Sequence, residues 1–347
     1  MGTIQYSRAT IVNVLMKIKV GGAMKDFYRG KKILITGGAG YIGQLLIDKL
    51  IEFDPEVIKI LDMNENALFN LRQKHRQREK RLRFLLGDVR NLRRLQYAFE
   101  DVDIVFHAAS YKHVSECEYN PIDAVETNVN GTSNVIQAAI ERNVKKVIFT
   151  SSDKAANPSN TMGVTKLMAE KLMSAANEYG ARCTIFACCR FGNVVRASGS
   201  VVPLFEEQIM NDKRITITDP NMTRFLIPTE KAIELVLLSG FMAQGAEVFI
   251  YKMPAININD LADAMMEKYG EVPKEIIGRR AGEKMYEELM TEEEMSRAYE
   301  SEDMHIVFSQ LVDIDRDKYK GFRKVKTVRN SRDTKLLSKQ EILRLLE

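Results

Sequence analysis

The chain has 347 residues, 45% of them apolar and 28% charged, which suits one large α/β domain with a smaller lobe, or two domains. Its 20 Gly and 8 Pro exclude a collagen-like or broadly disordered chain, its four Cys exclude a disulfide scaffold, and no apolar run reaches the roughly 18 residues that cross a bilayer. The net charge of +4 arises in one segment, RQKHRQREKRLR at 72–83; without its seven basic residues and one acidic residue the chain holds 44 basic against 46 acidic, so no nucleic-acid partner is implied.

Residues 1–30 read as an N-terminal extension, where Ile11, Leu15 and Ile18 recur at helical spacing and predict a short amphipathic helix. From Lys31 onward, short apolar strands alternate with amphipathic stretches. KKILIT (31–36) leads into a glycine-rich turn and a helix to about Phe53, and VIKILD (57–62) leads into a helix through the basic segment. LRFLLGD (82–88), VDIVFHAA (102–109) and KKVIFTSS (145–152) repeat the pattern, and CTIFACCRFGNV (183–194) is a sixth strand. Cys188 and Cys189 then read as buried strand residues in a reducing compartment, and a cytoplasmic protein is expected. Cys117 and Cys183 complete a set without metal-ligand spacing, so no metal site is expected.

This alternation predicts an α/β fold over 31–194, a doubly wound parallel sheet covered on both faces. Residues 195–330 read mainly as a smaller α/β substrate-binding lobe, with some segments free to return to the first domain. Helices are expected over 203–210, 228–241 and 257–270, the last capped by Asn257 or Asn259, with strands at 215–218, 247–253 and 275–280. An acidic helical region follows 280, and 331–347 forms a C-terminal helix. Ligands of such sheets bind beyond the carboxyl ends of the strands, where the second lobe would complete a cleft.

Two segments carry chemistry. Thr36-Gly37-Gly38-Ala39-Gly40-Tyr41-Ile42-Gly43 lies between the first strand and its helix. There Gly37 permits the tight turn, Gly40 admits a pyrophosphate and Gly43 lets helix pack on strand. Asp62 ends the second strand, where a carboxylate binds a ribose 2′-hydroxyl and repels a 2′-phosphate, so NAD is expected over NADP. Asp88 and Val89 are placed to meet the adenine, and Ala108 and Ala109 leave room for a flat ring. His107 reads as a satisfied strand-end histidine. The second segment is Ser151-Ser152-Asp153-Lys154, at the end of the fifth strand, followed by Met162-Gly163-Val164-Thr165-Lys166.

With the glycine turn, a helix containing Asn128, and Lys166 in the position of a YxxxK lysine, the sequence resembles the extended short-chain dehydrogenase/reductases, whose nucleotide-binding part is a Rossmann domain. AASYKHV (108–114), EYNPIDAVETNVNGT (118–132), SDKAANPSNTMGVTK (152–166), RFGNVV (190–195), DPNMTRF (219–225) and RAGEKMYEEL (280–289) resemble the nucleotide-sugar 4,6-dehydratases of polysaccharide biosynthesis. The likeness spans about residues 31 to 310 and points to UDP-N-acetylglucosamine as substrate. It implies oxidation at C4, removal of the C5 proton by a neutral Lys154 and protonation of the departing 6-hydroxyl by Asp153, with Ser152 and Lys166 completing the catalytic set. It also implies that Asn128 and Lys166 belong to the cofactor site, that Asn193 holds the diphosphate and that Arg224 and Arg280 pair with phosphate. Glu283 would meet the ribose, Thr216 and Thr218 the uracil, and Lys112 the sugar. A homo-oligomer is expected by the same resemblance.

Met162 stands where most of the superfamily carries tyrosine, and a thioether exchanges no proton. Two other readings are weighed beside the dehydratase. A nucleotide-sugar 4-epimerase shares the C4 oxidation, but Asp153-Lys154 argues against it. A non-catalytic NAD-binding sensor would need no acid–base pair.

Overall fold

The structure, a computed structural model, describes residues 21–180, 182–197, 199–327 and 330–346. The helix expected around Ile11 to Ile18 lies outside the described residues; residues 21–28 are helical.

Six parallel strands lead the fold: β1 (Lys32–Thr36), β2 (Val57–Asp62), β3 (Leu82–Leu86), β4 (Ile104–His107), β5 (Lys146–Ser152) and β6 (Ile185–Phe191). Their order across the sheet is β3-β2-β1-β4-β5-β6, the Rossmann arrangement expected from the alternation. Side chains alternate to opposite faces: Ile33 and Ile35 enter one core and Leu34 the other, and Ile104 and Phe106 are likewise divided from Val105. That two-sided burial explains why the strands read as continuous apolar runs.

The expected sixth strand breaks at Gly192, and Asn193–Val194 pairs as β7 with a different sheet. A Cβ on Gly192 would stand 2.9 Å from the Phe225 Cβ, so this close crossing needs glycine. The remaining strands are β8 (Ile215–Ile217), β9 (Thr223–Ile227), β10 (Val248–Tyr251), β11 (Ala255–Asn257), β12 (Lys274–Ile276), β13 (Ala298–Glu300), β14 (Met304–Val307) and β15 (Arg323–Lys324). β10 pairs parallel to β6, and β14, β13 and β15 extend the same sheet antiparallel, giving ten strands. Small sheets β11-β9-β7 and β12-β8 build the lobe over the strand ends. Its separate core runs from Val195 through Leu261 to Ile342 and Leu346, so the Lys339–Leu345 helix packs on the Ile258–Tyr269 helix.

The acidic helical region expected beyond Arg280 is mostly irregular, with a helix only at Glu292–Met295. Gly278 and Gly282 have φ of +79° and +77°, backbone that no helix continues through. Asn257 caps its helix, accepting from the Asn259 and Asp260 amides.

Candidate active site

One cavity of about 570 Å³ runs along the carboxyl ends of the parallel strands, beneath the lobe. At one end it is walled by Gly37, Gly40, Tyr41, Ile42 and Gly43. Gly37 has φ of +68°, and a Cβ there would lie 2.6 Å from the Ala109 amide nitrogen. A Cβ on Gly43 would meet the Gly37 carbonyl oxygen at 2.6 Å. Gly40 heads the Tyr41–Ile51 helix and brings no side chain to its free amides, which suit an anionic group. The turn therefore fits the pyrophosphate of a dinucleotide. Asp62 fixes it in place: its Oδ2 accepts from the Ala39 amide at 3.0 Å and its Oδ1 from the Asn64 amide at 2.9 Å. The Tyr41 hydroxyl reaches across to the Val195 carbonyl and Thr229 Oγ1, tying the turn to the second lobe.

Asp88, Val89, Ala108 and Ala109 also line the cavity. Asn128 does not. Its amide is spent on the Tyr111 backbone and on Thr165 Oγ1, so it holds the loop after β4 against the Thr161–Ala176 helix from behind. His107 is satisfied as expected, between Thr36 Oγ1 at 2.7 Å and Thr132 Oγ1 at 3.1 Å. Complete burial pulls its pKa down to about 3. Lys166 lines the cavity and donates to Ser110 Oγ and the Thr150 carbonyl, with burial lowering its pKa to about 8.

At the end of β5 the charges converge. Ser152 and Lys154 line the cavity, whereas Asp153 is fully buried and stands behind them. Asp153 Oδ1 accepts from Lys154 Nζ and from Ser152 Oγ, each at 3.0 Å. Its Oδ2 has no hydrogen-bond partner and faces Gly192, where a Cβ would stand 3.0 Å away. Lys154 Nζ also lies 3.4 Å from Asn193 Oδ1 and 3.5 Å from Glu287 Oε1. Burial works against the ammonium, but Asp153 and Glu287 outweigh it and raise the Lys154 pKa. The depressed, neutral lysine expected from the sequence is thus not the resting state, because two carboxylates flank it.

Glu287 has no counterpart in the sequence reading. It lines the cavity at 2% exposure, its Oε2 unpartnered, and burial raises its pKa against the pull of Lys154. Only its place in RAGEKMYEEL marked it, since no spacing rule links it to Lys154. Arg224 lies 3.9 Å from Glu287 and lines the cavity, yet its Nη atoms donate to the Thr223, Lys284 and Met285 carbonyls. It braces the segment bearing Glu287, leaving few donors for phosphate. That segment is anchored again at Arg190, fully buried between Glu170 and Glu294 and donating to the Leu289 carbonyl.

Met162 lines the cavity at 3% exposure and packs against Cys117 and Ala124 behind the wall. Lys112, Asn193, Thr216, Thr218, Arg280 and Glu283 all line the far part of the cavity. Gln208 brackets Thr216 with two hydrogen bonds, and Glu283 accepts from the Arg280 amide. Among the described residues no cluster of three His, Cys, Asp or Glu is arranged to hold a metal ion, and no helix is long and apolar enough to cross a membrane.

A family described as "Polysaccharide biosynthesis protein" matches residues 33–309. The chain is 46% identical over 333 residues to an uncharacterized membrane protein of Methanocaldococcus jannaschii, covering 93% of this chain and 97% of that one. It is 40% identical to a UDP-N-acetylglucosamine 4,6-dehydratase (inverting) of Campylobacter jejuni, covering 84% and 86%. Identity to a UDP-glucose 4-epimerase of Rickettsia felis is 38%, covering 91% and 95%. Among solved structures, Pen from Bacillus thuringiensis superposes with a TM-score of 0.87 at 42% identity, covering 92% of this chain and 99% of that one.

Proposed function

The chain belongs to the polysaccharide biosynthesis protein family, and from that premise we propose that it is an NAD-dependent UDP-N-acetylglucosamine 4,6-dehydratase. The observation that carries this reading is the placement of Lys154 on the cavity wall between two carboxylates, Asp153 and Glu287. Epimerisation at C4 needs only one reversible proton transfer, at the 4-hydroxyl. Dehydration needs in addition a base for C5 and an acid for the 6-hydroxyl, and such a corner can supply both.

The glycine turn from Gly37 to Gly43 would hold the cofactor's pyrophosphate, Asp62 a ribose, Asp88 and Val89 the adenine, and Ala108, Ala109 and Lys166 the nicotinamide side. When bound, NAD would supply a hydride acceptor for C4 and, once reduced, a hydride donor for C6. Asp62 favours NAD, since its carboxylate repels a 2′-phosphate. Asn193, Arg280 and Glu283 would hold the diphosphate and ribose of the sugar nucleotide, Thr216 and Thr218 its base, and Lys112 the sugar. Lys154, as the amine, removes the C5 proton once the C4 ketone has acidified it. Asp153 holds Lys154 in place through its Oδ1, and Ser152 steadies Asp153 by donating to the same oxygen. Met162 shapes the wall beside the sugar.

The likeness to UDP-glucose 4-epimerases keeps epimerisation as the second reading, and reaction in deuterated water separates the two. Dehydration removes the C5 proton and, after hydride returns to C6, C5 takes a new one exchanged with solvent, so the product acquires deuterium at C5. A recovered sugar nucleotide inverted at C4, with no deuterium on carbon, would favour the epimerase.

A further inference from the structure

Elimination of water across C5 and C6 requires a proton acceptor and a proton donor together. Asp153 is poorly placed as the donor: it is fully buried, it is absent from the cavity wall, and its free oxygen is turned into the Gly192 crossing. Glu287 is on the wall, 3.5 Å from Lys154 Nζ, and its Oε2 is unpartnered although the side chain is 98% buried. A buried carboxyl oxygen with no partner, on a side chain that lines the cavity beside a lysine, is what an acid awaiting a substrate hydroxyl looks like.

We propose that Glu287 is the catalytic acid that protonates the departing 6-hydroxyl, in proton exchange with Lys154; the proposal rests on the dehydratase reading. A proton moves from Lys154 Nζ to Glu287, leaving an amine beside a carboxylic acid. The amine takes the C5 proton, the C5–H electron pair becomes the C5–C6 double bond, and the C6–O bond breaks. The Glu287 proton goes to the departing oxygen, which leaves as water. Lys154 is again an ammonium and Glu287 a carboxylate, and no electrons are gained or lost in the step. Burial, which holds the Glu287 carboxyl above its ordinary range, favours the protonated form that this step uses.

The test compares two leaving groups, using UDP-N-acetylglucosamine and its 6-deoxy-6-fluoro analogue. Fluoride departs with little help from an acid, whereas hydroxide does not. Glu287→Gln is expected to slow water elimination by about 10²-fold or more, the usual contribution of a general acid, and fluoride release by less than about tenfold. Asp153→Asn, acting through Lys154, slows both alike. Equal losses for both substrates in Glu287→Gln would reduce Glu287 to a structural role, and selective fluoride rescue in Asp153→Asn would return the acid to Asp153; either result overturns the proposal. Should the Gln variant fail to fold, Glu287→Asp carries the same comparison, because withdrawing the carboxyl by one methylene must reproduce the leaving-group pattern. A wild-type protein that releases neither water nor fluoride contradicts the dehydratase reading itself.

Discussion

The strand ends of β1 and β5 carry two sites built in opposite ways. After β1, the turn that fits a pyrophosphate and the carboxylate that braces it lie within the short stretch from Gly37 to Asp62, and the turn works through backbone: a left-handed glycine, close helix–strand contact and free amides. After β5, only Ser152, Asp153 and Lys154 are local. Glu287 arrives from 133 residues beyond Lys154, Arg224 from another strand, and Arg190 pins the incoming segment from below. A local site tolerates change elsewhere in the chain; a convergent one depends on distant anchors. Variants can therefore separate the two regions.

The largest effect belongs to Lys154→Ala. Turnover should fall by about 10²- to 10⁴-fold, with no tyrosine at position 162 to compensate. Because the glycine turn is independent of this corner, nucleotide content, read from the absorbance of extracted cofactor, should stay at the wild-type level. Loss of nucleotide along with activity would join what the two regions keep apart. Arg190→Ala comes next. Removing a buried cation strands Glu170 and Glu294, at a cost of about 3–5 kcal/mol in denaturant unfolding. Near-normal stability would mean that the 287–294 segment is held by other contacts.

His107 tests the cofactor side through pH. Its folded pKa of about 3 lies below the ordinary value of 6.5, so the neutral ring contributes stability above pH 6.5 that is lost as pH falls toward 3. Between pH 7 and pH 5 that loss is about 2 kcal/mol, and His107→Gln should lose less over the same interval by about that amount. Parallel stability curves would show that His107 does not titrate this way. The smallest effect is Met162→Leu, a volume-conserving change costing less than about 1.5 kcal/mol and at most about tenfold in turnover. A larger fall would give the thioether a role beyond shape.

This contrast also explains what could be read from sequence. The six parallel strands, the glycine turn and Asp62 are local patterns of burial and backbone, and each was legible. So was the satisfied His107, because a histidine closing an apolar strand must find partners inside. That segments of the lobe could return to the main sheet was expected, but which ones do (β10, β13, β14 and β15) was not legible, since strand pairing over such distances leaves no periodic trace. Nor was the place of Glu287 beside Lys154, or the backbone carbonyls that the Arg224 guanidinium and the Asn128 amide reach. Arginine and asparagine donate equally well to a phosphate or to a carbonyl, and only the folded backbone shows which is in reach. The helix expected through the basic run 72–83 ends at Lys74, a 3₁₀ turn spans Arg76–Arg81, and Lys74 and Arg81 pair with Asp48 and Asp54 on the surface while His75 and Leu82 turn inward.

On the proposed reading, the Lys154 corner eliminates water from a sugar nucleotide. The most direct measurement is the mass of the nucleotide sugar recovered after the full chain is incubated with UDP-N-acetylglucosamine. A product lighter by one water, bearing a 4-keto group and a 6-methyl signal in its proton spectrum, is the predicted result. Recovery of unchanged mass, with C4 inverted or the substrate intact, would contradict it.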